Sequence, residues 1–296
     1  MLFNFILIGL SLGIVYGLVA LGISLVYRGL DIVHFAHGEV FMLGAFVGLV
    51  AVKLHDGVVP YWLALVAATV VVGILGMVLE RVFYRRLTRG GGGYTVAGMG
   101  IIICGFGMSM VLMGTAFLIW GAEHRHYPVE FGPPIFLGDI FLPRSYVWIL
   151  VVAVALMAGL TFFLFRTRLG LGARVVAFSK ETASLMGVNV PLMISLIFGL
   201  GCAVAAAGGV LIAPIVFAQV QMGYVVLLKA FAAAVVGGFG SLPGAILGGL
   251  LVGVFESLAA AYLWPDYKDI YAFALMIAVL MIRPSGLLGT TIKVKA

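Results

Sequence analysis

The chain has 296 residues, of which 64% are hydrophobic and only 9% charged, and its mean hydropathy is +1.25. A soluble domain could not bury that much apolar surface, so the composition excludes a soluble enzyme or binding module and places most of the chain against lipid or other lipid-embedded helices. The formal net charge of +6 does not point to nucleic acid, because the Lys and Arg residues collect just beyond the ends of apolar runs, as topology determinants do.

The apolar runs are about 20 residues long, the length that crosses ~30 Å of hydrocarbon as a helix, and the alternation of a membrane β-barrel is missing. In chain order they fall at 4–27, 38–54, 61–83, 95–120, 145–165, 191–217, 224–239, 245–263 and 270–282. The first opens without a basic leader or a small-residue cleavage site, so it reads as a retained span. Runs 38–54 and 224–239 are short and flanked by glycine or polar residues, which fits re-entrant or broken helices that line a cavity. The predicted fold is therefore an all-α polytopic helical bundle of about nine crossings, eight to ten allowing for those two runs.

Three basic clusters set the orientation: Arg81, Arg85, Arg86 and Arg89; Arg166, Arg168, Arg174 and Lys180; Arg283, Lys293 and Lys295. Even numbers of spans separate them, so all three are expected on the cytoplasmic side, with the N-terminus outside and Arg28 at the inner surface. Of the connections, "RGGGGY" at 89–94 reads as a flexible inner linker. The longest outer loop, 121–144, holds Pro128, Pro133, Pro134 and two histidines, His124 and His126, which could bind a metal but fit a solvated loop better. No segment looks like a second domain; residues 1–296 read as one transmembrane domain.

Lipid offers no hydrophobic drive for helices to associate, so small residues must let backbones approach. Gly9, Gly13 and Gly17 recur every fourth residue in the first run, as do Gly240, Gly244 and Gly248 near the end, where Gly249 and Gly253 follow. Cys104 and Cys202 lie inside apolar runs without metal-ligand spacing and read as packing residues.

Few residues are suited to chemistry. "HFAHGE", His34 to Glu39, brings two imidazoles and a carboxylate to the point where the chain re-enters the membrane. A metal site there needs a further ligand that the neighbouring sequence does not supply; cavity-lining polar groups and a plain interfacial turn are the other readings. Lys229 and Glu256 lie in late apolar runs, where an unpaired charge costs at least ~2.5 kcal/mol. They are expected to pair with each other or to face water. Glu80, next to Arg81 at the inner end of its span, reads as a member of an interfacial ion pair rather than a pathway residue, and Gln219 and Gln221 as polar groups near the outer mouth. "GGFGSLPG" at 237–244 lacks both the ending of a phosphate-binding loop and the context of a nucleophile elbow, so it reads as a tight inner connection. The sequence shows no catalytic residue and no ATPase motif, and no metal site is assigned.

One polar stretch, "GLGARVVAFSKETASLMGVNV" at 170–190, interrupts the oily sequence. Helical spacing puts Leu171, Val175, Phe178, Thr182 and Leu185 on one face and Arg174, Glu181 and Ser184 on another, and Ser179 is placed to cap a second short helix. Its small residues, Ala173, Ala177, Ala183 and Gly187, suit insertion into a partner's groove; an interfacial loop that merely joins two spans is the alternative.

This stretch resembles the cytoplasmic coupling segment of ABC importer permeases. "SLGIVYGLVALGISLVYRGLDIVHFAHGEVFMLGAF" and "KAFAAAVVGGFGSLPGAILGGLLVGVFES" are similar to the branched-chain amino-acid permease family, and the likeness spans nearly the whole chain. The resemblance implies one of two homologous permease subunits, a heterodimer in most of the family, that works with two cytoplasmic ATPases and a periplasmic substrate-binding protein. It implies a multi-pass protein of the bacterial inner membrane with a cytoplasmic C-terminus. No cofactor is expected on this chain, since ATP and Mg would be bound by the partner ATPases. Within segment 168–190, Gly172, Arg174, Ala177, Glu181, Ala183, Leu185 and Gly187 would dock in the ATPase groove. His37, Glu39, Gln219, Lys229 and Glu256 are the candidates for the translocation pathway or its support. Branched-chain or another hydrophobic amino acid is the substrate the resemblance implies. The rival is an ion-coupled secondary transporter or channel using Lys229, Glu256 and Glu39 as a relay without partners; an intramembrane enzyme around His34 and His37 lacks a nucleophile.

Overall fold

The computed structural model of the chain describes residues 2–30, 33–54, 60–89, 94–137 and 140–289. Lys293, Lys295 and most of the glycine linker at 89–94 lie outside these residues. Each of the nine predicted apolar runs is a helix. The chain runs through α1 (Leu2–Leu30), α2 (His37–Lys53), α3 (Tyr61–Leu79), α4 (Arg85–Arg89), α5 (Tyr94–Trp120), the strands β1 (Ile135–Leu137) and β2 (Ile140–Leu142), then α6 (Arg144–Arg166), α7 (Arg168–Phe178), α8 (Lys180–Leu185), α9 (Val190–Val216), α10 (Met222–Gly237), α11 (Leu242–Tyr262) and α12 (Lys268–Ile282). A π-helical turn, Glu80–Tyr84, joins α3 to α4 without a break. Among the described residues, six helices are long and apolar enough to cross a bilayer: α1, α3 with its extension, α5, α6, α9 and α11. The shorter apolar helices α2, α10 and α12 have 17, 16 and 15 residues. The protein is an all-α polytopic membrane bundle.

The centre is built on α1 and α9, 72% and 83% of whose apolar windows are buried within the chain, against 22% for α5 and 28% for α6. Those last two expose their apolar sides, so they face lipid or another subunit. Short α2 does not start at a membrane surface. His37, Gly38 and Glu39 are all buried, and His37 stands against Gly22 in the body of α1, which Gly201 of α9 also approaches. A start inside the bundle is in keeping with the re-entrant or broken helix expected of run 38–54.

Glycines decide which helices touch. On α11, Gly249 meets the α1 stripe at Gly17 and Gly13 and Gly253 meets it at Gly13 and Gly9, while Gly244 and Gly248 sit against Gly237 and Ala233 of α10. The predicted late repeat therefore serves two different faces, and Gly240, with φ of 81°, belongs to the α10–α11 turn rather than to a helix contact. That turn is the tight connection read from "GGFGSLPG": Gly238 also takes positive φ, and Ser241 Oγ accepts from Gly244 N at 3.2 Å to cap α11. Leu287 N and Leu288 N donate to Val236 O and Gly237 O, which fastens the chain after α12 onto the end of α10.

The basic clusters gather at one end of the bundle. Arg28 and Arg174 line one small cleft with Leu242, Arg85 Nη2 donates to Pro191 O at 2.8 Å, and Gly286, following Arg283, packs on Gly238. At the opposite end, loop 121–144 carries an element absent from the helical reading. The strands β1 and β2 form an antiparallel ribbon with Phe136 opposite Phe141. The loop is also pinned inward, with Arg125 bridged to Ala218 and the Tyr127 hydroxyl donating to Ala45 O at 2.7 Å. Burial pushes the Tyr127 phenol well above its ordinary range, so it keeps the proton it donates. Exposed His124 stands clear of this anchoring.

Candidate functional site

Helices α10 and α11 run antiparallel out of their tight turn, which brings Lys229 and Glu256 side by side. Nζ of Lys229 lies 2.6 Å from Glu256 Oε1, as the cost of unpaired charge predicts. A third group joins them: Asp269, in the first turn of α12, is 2.7 Å from the same nitrogen. The Lys229 and Glu256 side chains are 5% and 6% exposed, whereas Asp269 is 53% exposed. The ring of Tyr16, from α1, lies 5.6 Å from Nζ. Paired charge of this kind survives in a low-dielectric interior only where each member keeps its partner.

The cluster borders a cavity of about 550 Å³ between α1, α9, α10, α11 and the start of α12. Its walls are largely aliphatic, and its polar lining includes Gln219, Lys229, Glu256, Lys268 and Asp269. Three of the five predicted pathway residues thus converge here: Gln219, Lys229 and Glu256. Gln221, outside that set, is exposed at the start of α10.

His37 and Glu39 lie elsewhere. Glu39 Oε1 accepts from Ser109 Oγ of α5 at 3.0 Å, tying α2 to the peripheral helix. His37 joins His34 and Cys202 in a buried group whose donor atoms lie within 4.8 Å of one another. Cys202 is the additional donor that the local sequence could not supply, and Glu39 is not part of the group. His34 Nδ1 is 2.7 Å from the Tyr84 hydroxyl, and both residues are buried. His34→Phe keeps a ring of similar size but strips Tyr84 of this partner. It is expected to lower stability by ~1–3 kcal/mol, the cost of an unsatisfied buried polar group, seen as a lower melting temperature in detergent; His34→Asn should lose less.

Glu80 does belong to an ion pair, and its partner is Arg85. Its carboxylate takes Arg85 Nε at 3.2 Å and Nη2 at 2.9 Å, and Ser195 Oγ of α9 also donates to it. Successive residues on a helix do not face each other; the π turn, in which Arg85 N–H donates to Glu80 O, stacks residues five apart instead. The fork fixes the basic end of α3 against the start of α9.

The polar stretch at 168–190 is a pair of capped helices at that same end. Thr167 Oγ1 accepts from Gly170 N at 3.0 Å to open α7. Ser179 Oγ accepts from Thr182 N at 3.2 Å, as its sequence position predicts, to open α8. Extended backbone at Ser179 breaks the helix, so the single face drawn through Leu171, Val175, Phe178, Thr182 and Leu185 does not exist. Two of its apolar members point outward, Phe178 at 90% exposed and Leu185 at 89%, as does neighbouring Met186 at 69%, whereas Val175 packs against the Val176, Ala183 and Met193 cluster. Ala173 and Ala183 face inward, with Ala183 fully buried against Val176 and Met193. Of the other predicted coupling residues, Glu181 is exposed, as is Gly187, which takes φ of 76° to end α8. Gly172, Arg174 and Ala177 are half-buried, and the Arg174 guanidinium lies 4.7 Å from the Phe165 ring centroid.

A bundle of apolar helices enclosing a polar-edged cavity, with a structured helix pair projecting from one end, defines a membrane permease. Residues 5–280 match the family described as branched-chain amino acid transport system / permease component. The chain is 35% identical over 295 residues to the high-affinity branched-chain amino acid transport system permease protein LivH of Salmonella typhimurium, covering 95% of this chain and 93% of that one. It is 36% identical over 294 residues to the corresponding permease protein BraD of Pseudomonas aeruginosa, covering 95% and 94%. A probable branched-chain amino acid transport permease protein LivH of Methanocaldococcus jannaschii is 27% identical over 290 residues, covering 92% and 88%. The chain belongs to this permease family. It is a transport permease of the ABC-importer type, not an enzyme.

Proposed function

We propose that this chain pairs with a second homologous permease subunit to form the translocation pathway of an ATP-driven importer for branched-chain or related hydrophobic amino acids. Two ATPase subunits, carrying ATP and Mg, bind its basic end, and a substrate-binding protein delivers the solute at the other. The basic end and the C-terminus are cytoplasmic, in the inner membrane of a bacterial cell, in keeping with the clustering of Arg28, Arg85 and Arg174. The permease names of the relatives support the substrate class.

The observation that carries the ATPase contact is the outward display of Phe178, Leu185 and Met186 on a capped, polar helix pair. Large apolar side chains held clear of the bundle in an otherwise polar segment mark a contact surface. Segment 168–190 is therefore the coupling element, with Phe178, Glu181, Leu185 and Met186 at the docking face. Ala183, Gly172, Ala177 and Arg174 hold it against α9 and α6, and Gly187 ends α8. ATP-driven closure of the ATPase pair would move this element and switch the bundle between its two access states.

The test is ATP turnover of the reconstituted complex. Phe178→Glu combined with Leu185→Glu is expected to lower binding-protein-stimulated turnover by about tenfold or more, equivalent to losing ~1.4 kcal/mol or more at the interface, with the permease pair still folded. Unchanged turnover, or uptake by the chain without ATPases, would return the relay reading through Lys229, Glu256 and Glu39.

A further inference from the structure

His34, His37 and Cys202 reach one point in the interior from three places: the turn before α2, the first residue of α2 and the middle of α9. Each is at most 1% exposed, and one donor atom of each lies within 4.8 Å of the others. Both nitrogens of His37 and Nε2 of His34 have no hydrogen-bond partner among the described residues. Bare imidazole nitrogens in an apolar interior carry the cost of any unsatisfied buried polar group. The cluster therefore calls for an occupant that bonds several lone pairs at once.

The way His34 is held points to the kind of occupant. Its Nδ1 lies 2.7 Å from the Tyr84 hydroxyl, which is itself buried. A proton on Nδ1, donated to the Tyr84 oxygen, leaves Nε2 as a lone pair only. A histidine oriented through its second nitrogen in this way is the ordinary state of a metal ligand. Cys202 separates a metal from an ordered water, because sulfur is a weak hydrogen-bond partner but, as the thiolate, a strong ligand.

The charge and number of the donors select the ion. Two neutral imidazoles and one thiolate carry a single negative charge, which a monovalent cation cancels, whereas a divalent ion leaves a net positive charge in a low-dielectric interior. Zinc also takes four ligands in closed sites, and the carboxylate nearest in sequence, Glu39, is held by Ser109 Oγ and stands outside the group. Three donors that include a soft thiolate suit copper(I). Among atoms no more than 4.8 Å apart, each side chain has to shift by less than about 1 Å to reach the ~2.0–2.3 Å of imidazole and thiolate bonds to a first-row ion.

We infer that His34, His37 and Cys202 form a structural copper(I) site that fastens the buried start of α2 to α9. The ion is enclosed as the chain folds, since the three side chains are closed to solvent. Cys202 enters as the thiolate, its proton passing to water as the copper–sulfur bond forms, and the metal stays copper(I) throughout. Tyr84 is a positioning residue that orients His34.

The test uses the full chain, produced in cells supplied with copper and zinc and purified in detergent under reducing conditions. It should carry one copper per chain, and X-ray absorption at the copper edge should show copper(I) with two nitrogen neighbours and one sulfur. Cys202→Ala should lose the copper, while Cys104→Ala, at the cysteine of α5, should keep it. Tyr84→Phe removes only the hydroxyl and should weaken copper(I) binding about 10–100-fold in competition with bicinchoninate, a change that a packing role for Tyr84 does not produce. Size-exclusion profiles show which variants fold, and if Cys202→Ala does not, the absorption spectrum of the unaltered chain decides the site. A chain purified without copper, zinc in its place, a first shell without sulfur, or copper retained by folded Cys202→Ala would overturn it.

Discussion

Lys229→Met is expected to destabilise the permease by about 3–5 kcal/mol, the penalty for leaving a buried charge without its partner. The substitution keeps most of the side-chain volume, so the loss isolates charge from packing. Glu256, 6% exposed, would be stranded between α1, α10 and α11, while Asp269, 53% exposed, can turn to water. The asymmetry gives the experiment its control. Lys229→Met with Glu256→Gln removes both buried charges together and should recover more than half of the lost stability. Asp269→Asn alone should cost less than ~1 kcal/mol, the range of exposed ion pairs. Thermal unfolding of the three variants in detergent provides the comparison. If the double variant is no more stable than Lys229→Met, the two residues are not coupled and the pairing is incidental to the fold.

That pair was legible in the sequence because apolar context makes charge conspicuous, and two opposite charges in adjacent spans have few other ways to be satisfied. Asp269 was not, because "WPDYKD" reads as a polar connector and the residue lies just outside the last apolar run, although α12 begins one position earlier, at Lys268. The helices themselves were legible from run length alone, and the capped break at Ser179 from residue type. The faces of α7 and α8 were not: one helical wheel cannot describe two helices, and outward-facing Phe178 and Leu185 contradict the rule that apolar residues turn inward unless a partner exists. The ribbon of 135–137 and 140–142 does have a local signal, since "IFLGDIFL" places Gly and Asp between two apolar triplets in the manner of a hairpin. Cys202 could not have been assigned to His34 and His37, because only the crossing of α9 with α2 brings them together, and no local spacing encodes a helix crossing.

The seam between α1 and α11 sets up a graded result along one glycine stripe. A Cβ at Gly13 would stand 2.7 Å from Gly249 O and 3.0 Å from Leu250 Cα, both backbone atoms of a helix that cannot yield locally. A Cβ at Gly17 would meet first the methyl end of Met157 at 3.2 Å and then α11 backbone only at 3.5 Å. Methionine is flexible and can swing aside, so the same added methyl has opposite prospects four residues apart. Gly13→Ala is expected to cost ~1–3 kcal/mol through overpacking and Gly17→Ala less than ~1 kcal/mol, offset in part by the better helix propensity of alanine. The distinction reaches function as well as stability. Prying α1 from α11 widens the wall shared with the Lys229 cavity, so Gly13→Ala should also lower uptake by the reconstituted importer, whereas Gly17→Ala should leave it close to that of the unaltered protein. Melting temperature and uptake measured on both variants check the two halves together; equal losses at Gly13 and Gly17 would mean that the stripe serves general helix association and that the close backbone approach at Gly13 carries no special weight.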